Sequence, residues 1–68
     1  MEYPEPLEMY VGCKIIRRTY ATEAEAKQCA EVAAVDRDEQ LSKGYDFGYC
    51  WPGDIRKNKD GTYTVDCP

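Results

Sequence analysis

The 68-residue chain contains no histidine, and it has neither a Gly-rich phosphate loop nor a Ser in a nucleophile elbow. Histidine is the side chain that most often transfers protons near neutral pH. A chain of this length also seldom encloses a substrate pocket. We therefore expect a protein that is not an enzyme, with no catalytic residue and no cofactor.

The sequence also contains no long apolar run. Its first residues are acidic and include two prolines, so the basic start of a secretory signal is missing as well. A secretory signal or a membrane span needs such runs, so we expect a cytoplasmic protein with no membrane partner. The net charge of −4 argues against non-specific binding to nucleic acid.

Four cysteines are spread evenly along the chain, at Cys13, Cys29, Cys50 and Cys67. Structural zinc sites use closely spaced cysteine pairs, which this spacing does not provide, so we expect no metal site. Without a secretory signal, we expect each cysteine to be reduced and to pack as a small apolar side chain. Two disulfides are the alternative.

The sequence predicts that the chain divides into two parts. Residues 1–8 hold two prolines and three glutamates, which predicts an extended acidic arm. The remaining residues, 9–68, are predicted to form a single α+β domain. Within it, residues 9–20 are rich in β-branched and aromatic side chains and are predicted to form one strand.

A long helix is predicted to follow. Thr22 and Glu25 have the spacing of a capping box, and the residues from Ala24 to Leu41 contain neither glycine nor proline. Gly44 is typical of a helix terminus. One stripe of this helix is predicted to face the core and consists mostly of small residues: Ala26, Cys29, Ala30, Ala33, Arg37 and Leu41.

Four aromatic residues alternate in the segment after the helix, at Tyr45, Phe47, Tyr49 and Trp51. If this segment is a strand, all four rings lie on one side. We expect most of them to pack against the small-residue stripe of the helix, because large side chains opposite small ones fill a core.

The C-terminal residues predict a hairpin. Asn58–Gly61 suits a type I turn closed by a glycine with positive φ, which places Ile55 opposite Val65 and Lys57 opposite Tyr63. The predicted fold is therefore α+β, with a single helix packed on a small antiparallel sheet in the chain order β-α-β-β-β.

The candidate binding residues are the cations of the predicted sheet and the aromatic residues beside them. They are Tyr10, Arg17, Arg18, Trp51, Arg56, Lys57 and Lys59. Tryptophan, tyrosine and arginine are enriched in protein interfaces. Two alternatives stay open: a nucleic-acid-binding module that uses the same sheet face, and a small structural protein that dimerises through a strand edge.

Two short strings carry a family resemblance. The helix start, with Thr22, Glu25, Ala26, Lys27 and Ala30, and the closing hairpin, with Lys59, Asp60, Gly61, Val65, Asp66 and Cys67, resemble phage-encoded anti-CRISPR proteins of the type I-F inhibitor group. The resemblance implies a phage or mobile-element protein in the cytoplasm of a bacterial host. There it would sterically block a host protein or nucleoprotein complex.

Overall fold

The computed structural model describes residues 2–68 and contains four strands and one helix. The strands form one antiparallel sheet in the spatial order β1-β2-β4-β3, and the helix packs on one side of it. The elements are β1 (Glu8–Val11), β2 (Ile16–Tyr20), α1 (Glu23–Ser42), β3 (Ile55–Lys57) and β4 (Tyr63–Cys67). The predicted α+β class, with one helix on a small antiparallel sheet, is confirmed.

The order of elements along the chain differs from the prediction, because residues 9–20 form a hairpin and not one strand. The chain turns between Val11 and Ile16, and the N–H of Gly12 donates to the carbonyl of Ile15 at 2.8 Å. A Cβ on Gly12 would lie only 3.1 Å from that carbonyl oxygen, so the turn favours glycine. The helix therefore follows the second strand.

The segment with alternating aromatic residues is not a strand, which corrects the second prediction. The N–H of Gly48 donates to the carboxylate of Asp46 at 2.8 Å, and Gly48 has φ +66°, so the backbone turns in the middle of the segment. Only Phe47 is buried. The other three rings are exposed and do not pack against the small-residue stripe as predicted: Tyr45, Tyr49 and Trp51.

The helix is confirmed within two residues of its predicted bounds. The Thr22 hydroxyl accepts from the N–H of Glu25 at 3.3 Å and donates to the Glu25 carboxylate at 2.8 Å. The glutamate thus interacts with the cap hydroxyl, where a capping box would place it on the cap N–H. Gly44, with φ +87°, follows the last turn as expected.

The terminal hairpin has the predicted register. Ile55 pairs with Val65 and Lys57 with Tyr63, and the N–H of Gly61 donates to the carbonyl of Asn58 at 3.1 Å. Because turn and register agree, this hairpin was specified locally.

The core lies between the helix and one face of the sheet. Its fully buried members come from β2, α1 and β4: Tyr20, Ala26, Cys29, Ala33, Val65 and Cys67. Of the predicted helix stripe, Ala30 is half-buried at the edge of this core, while Leu41 is exposed. The side chains of the sheet itself therefore cover the alanines.

Part of the predicted acidic arm contacts the domain. The Tyr3 hydroxyl donates to Asp36 of α1 at 2.6 Å, and the Tyr20 hydroxyl donates to the carbonyl of Pro4 at 2.8 Å. The N–H of Leu7 donates to the carbonyl of Thr19 at 2.8 Å. Residues 2–7 thus lie against the sheet and the helix without forming a regular element.

Candidate functional site

The face of the sheet away from α1 is not covered by the helix. Strand pairing places Tyr10, Arg17, Asp66, Thr64 and Arg56 on this open face, because residues opposite each other in a register share a side. The apolar residues that alternate with them in β2 and β4 point to the helix and supply the sheet's part of the core. The open face is therefore the broadest surface on which the sheet could hold a ligand.

Two arginines on the open face share one carboxylate. Nε of Arg17 lies 3.3 Å from Oδ1 of Asp66, and Nη2 of Arg56 lies 3.1 Å from the same oxygen. The Asp66 side chain is only 10% exposed, whereas those of Arg17 and Arg56 are 41% and 54% exposed. Asp66 therefore accepts a hydrogen bond from Arg56 and forms an ion pair with Arg17, and part of each guanidinium group stays available to a partner.

A polar ladder continues the open face toward the hairpin turn. The hydroxyls of Thr19 and Thr64 lie 3.1 Å apart, and the Asn58 amide donates to Thr64 at 2.8 Å and to Thr62 at 3.0 Å. These groups satisfy one another's hydrogen bonds. They hold the strands in register and leave the arginines and aromatic rings as the groups free to contact a ligand.

Aromatic rings stand at the edge of the arginine pair. Trp51 lines a groove of about 340 Å³ together with Arg17, Arg56 and Asp66. Tyr10 and Tyr49 line an adjacent groove of about 480 Å³ that also includes Arg17. We call the set Tyr10, Arg17, Tyr49, Trp51 and Arg56 the arginine–aromatic surface.

The tryptophan of this surface is held in place from the helix side. The Arg37 guanidinium lies 4.5 Å from the centre of the Trp51 ring, and its Nη1 donates to the carbonyl of Pro52 at 2.9 Å. The N–H of Gly53 donates to the carbonyl of Asp66 at 2.7 Å, which ties the loop to β4. Trp51 is thus positioned before any partner arrives, although it is 48% exposed.

The sequence-predicted site residues fall into two groups. The structure brings Tyr10, Arg17, Trp51 and Arg56 together on the arginine–aromatic surface. Arg18 and Lys57 lie on the helix side of the sheet, because they alternate with Arg17 and Arg56, and Lys59 lies in the hairpin turn. These three do not join the surface.

Two residues of the site were not among the predicted ones. Asp66 pairs with Arg17 only because β2 and β4 are neighbours, and Tyr49 was expected in the core. A turn read at Gly12 would have reset the alternation of the second strand. It would then have placed Arg17, and not Arg18, on the same face as Tyr10.

Comparison of the chain with protein-family models, with curated proteins and with solved structures gives no match. Within residues 2–68, the only helix is too polar to cross a lipid bilayer.

Proposed function

We propose that this protein is a non-enzymatic binding module that holds another protein on the arginine–aromatic surface. The observation that carries the proposal is the placement of three exposed aromatic rings around two arginines that form ion pairs with one buried carboxylate. Tryptophan, tyrosine and arginine dominate the energetic centres of protein interfaces. Rings positioned in advance lose little conformational entropy on binding.

The charge of the open face favours a protein over nucleic acid. Its grooves are lined by three cations and four anions, so the face has no excess of positive charge: Lys14, Arg17 and Arg56 against Glu8, Asp54, Asp60 and Asp66. A phosphate backbone requires an excess of cations, and its affinity falls steeply with salt. A mixed polar and aromatic surface is instead typical of protein interfaces.

The kind of partner follows from the resemblance to type I-F anti-CRISPR proteins. In this proposal the protein acts in the cytoplasm of a bacterial host and occupies the surface of a defence protein or nucleoprotein complex. The block is steric, so no chemistry on the target is required. The domain is large enough for this mode of action, because an interface of standard size buries only about 800 Å² on each partner.

A plaque assay tests the inhibitory role. Phages are plated on bacteria with active type I-F CRISPR interference, with and without expression of this protein. We expect the titre to rise at least tenfold with the natural chain and to stay low with Trp51→Ala/Arg56→Ala. Gln28→Ala/Glu31→Ala, which changes two exposed helix residues, is the matched control and should behave like the natural chain.

The possible outcomes test the inhibitory role and the assignment of the binding surface separately. An unchanged titre with the natural chain would overturn the inhibitory role. Full protection by Trp51→Ala/Arg56→Ala, with a native circular dichroism spectrum, would overturn the assignment of the surface. Binding of DNA or RNA at about 50 mM salt with a steep salt slope would establish the nucleic-acid alternative.

The edge strand β1 favours a second candidate function, that of a homodimer. Three of its residues are exposed apolar or aromatic side chains, Met9, Tyr10 and Val11, and the preceding Leu7 is exposed as well. Strands of this kind pair readily with another strand edge. Light scattering should give twice the monomer mass for the natural chain and the monomer mass for Met9→Lys/Val11→Lys. A monomeric natural chain at high concentration would exclude this candidate.

A further inference from the structure

Two of the four cysteines lie side by side in the core. The Sγ atoms of Cys29, in the middle of α1, and Cys67, at the end of β4, are 3.5 Å apart, although the residues are 38 positions apart in the sequence. Both are fully buried. Free cysteines commonly pack as small apolar residues, but that role does not require two thiols in contact.

A cation faces the same pair. Arg18 lies on the helix side of the sheet with Cys67, and its guanidinium stacks 3.9 Å from the centre of the Tyr3 ring. Its Nη1 is buried and makes no hydrogen bond to any of residues 2–68. A positive charge held near a thiol favours the thiolate, which is the reactive form of cysteine.

The hydrogen bond between the two thiols divides their roles. Donation from Cys67 lowers the pKa of Cys29 to about 7, in spite of burial, and the charge of Arg18 acts in the same direction. The same hydrogen bond and burial raise the pKa of Cys67. With Cys67 as the donor of this hydrogen bond, Cys29 is the nucleophile of the pair and Cys67 is the thiol that keeps its proton.

We propose that Cys29 and Cys67 form a dithiol site that reacts with peroxides and closes to an intramolecular disulfide. The Cys29 thiolate attacks one oxygen of hydrogen peroxide, the O–O bond breaks, and the hydroxide that leaves takes a proton to form water. The sulfur of Cys67 then attacks the Cys29 sulfenic acid. An S–S bond forms, the S–O bond breaks, and the oxygen leaves as water with the Cys67 proton.

The electrons balance in this sequence: two thiols lose two electrons, and one peroxide becomes two waters. Closure brings the sulfur atoms from 3.5 Å to about 2.05 Å and covalently joins α1 to β4. This inference is independent of the proposed binding function, because the site lies on the helix side of the sheet and uses none of the arginine–aromatic surface.

The N-terminal segment controls access to the site. Tyr3 packs against the core cluster that contains both cysteines, and three hydrogen bonds hold residues 2–7 to the domain. A segment without regular structure detaches at a lower free energy than the whole domain unfolds. Tyr3→Ala should therefore speed disulfide formation several-fold without changing its product.

The test uses a background in which the other two cysteines cannot react. Cys13 is exposed and Cys50 half-buried, so both are replaced, as Cys13→Ser/Cys50→Ser. The protein is treated with hydrogen peroxide, denatured and alkylated, and its intact mass is measured. We expect a mass loss of about 2 Da, no alkylation, a peptide joined through Cys29 and Cys67, and full reversal by dithiothreitol.

A stability measurement gives a second readout. Closing a loop of this length should raise the Tm by at least ~10 °C relative to the reduced protein. Cys67→Ala in the same background is the matched control and should form no intramolecular disulfide. Peptide mapping of the oxidised natural chain requires no variant and should show the same pairing.

Three results would overturn the proposal. In the first, Cys29 and Cys67 can still be alkylated after prolonged oxidation. In the second, the pair is oxidised to sulfinic acids and no cross-link forms. In the third, peroxide joins Cys13 to Cys50 in the natural chain and leaves the buried pair reduced.

Discussion

On the helix side of the sheet, Tyr20, Val65 and Cys67 are completely buried. On the open side, Tyr10 is 64% exposed and two arginines share one carboxylate. Both sides are built from the same strands, whose successive residues alternate between them. Apolar burial therefore stabilises the fold from one side, while the other side is left for recognition.

Strand β4 shows how closely the two roles are placed. Val65 and Cys67 are fully buried against the helix, and Asp66 between them supports both arginines of the open side. The two sides can thus be changed separately at most positions. At Asp66 a change affects recognition and stability together.

The largest effect is expected on the helix side. Tyr20→Ala removes a fully buried ring and the hydrogen bond to the carbonyl of Pro4. We expect a loss of about 3–5 kcal/mol in the free energy of unfolding, measured by urea denaturation. Since small domains are marginally stable, the variant should be largely unfolded at 37 °C. A loss below 1 kcal/mol would contradict the placement of this ring in the core.

An intermediate effect is expected at the residue between the two sides. Asp66→Asn keeps the shape of the side chain but leaves two guanidinium groups without their counter-charge. We expect the free energy of unfolding to fall by about 2 kcal/mol and partner binding to weaken. Asp54→Asn, at an exposed carboxylate nearby, is the control and should change stability by less than about 0.5 kcal/mol. Equal losses in both variants would remove the special role of Asp66.

The smallest effect on stability is expected on the open side. Tyr10→Ala and Tyr49→Ala each truncate an exposed ring, so the free energy of unfolding should change by no more than about 0.5 kcal/mol. Binding to the partner, measured by calorimetry, should nevertheless weaken at least tenfold in the double variant. Loss of stability together with binding would show that these rings support the fold, which would break the contrast between the two sides.

The parts of the fold that the sequence predicted are those with local causes. The hydroxyl of Thr22 and the N–H of Glu25 are three residues apart, and the turn at Asn58–Gly61 fixes the pairing of the residues on either side. Such contacts form within a few residues, so composition and spacing are sufficient to place them.

The parts that were wrong have non-local causes. An alternating pattern of aromatic residues from Tyr45 to Trp51 is compatible with a strand, but the hairpin of residues 8–20 supplies the remaining strand of the sheet and this segment pairs with no strand. The segment instead turns at Gly48 and closes one end of the sheet. The candidate site was predicted in part: the residue types were right, but the face of each was decided by that hairpin.

The sequence by itself determined the helix with its two ends, the terminal hairpin with its register, and the α+β class, because short-range hydrogen bonds and periodicity specify them. The tertiary structure decided that β2 lies beside β4. That neighbourhood joins Thr19 to Thr64 across 45 positions, sets Arg17 over Asp66 and brings Cys29 against Cys67. Contacts across such distances form only when the core packs as a whole, so no local pattern encodes them.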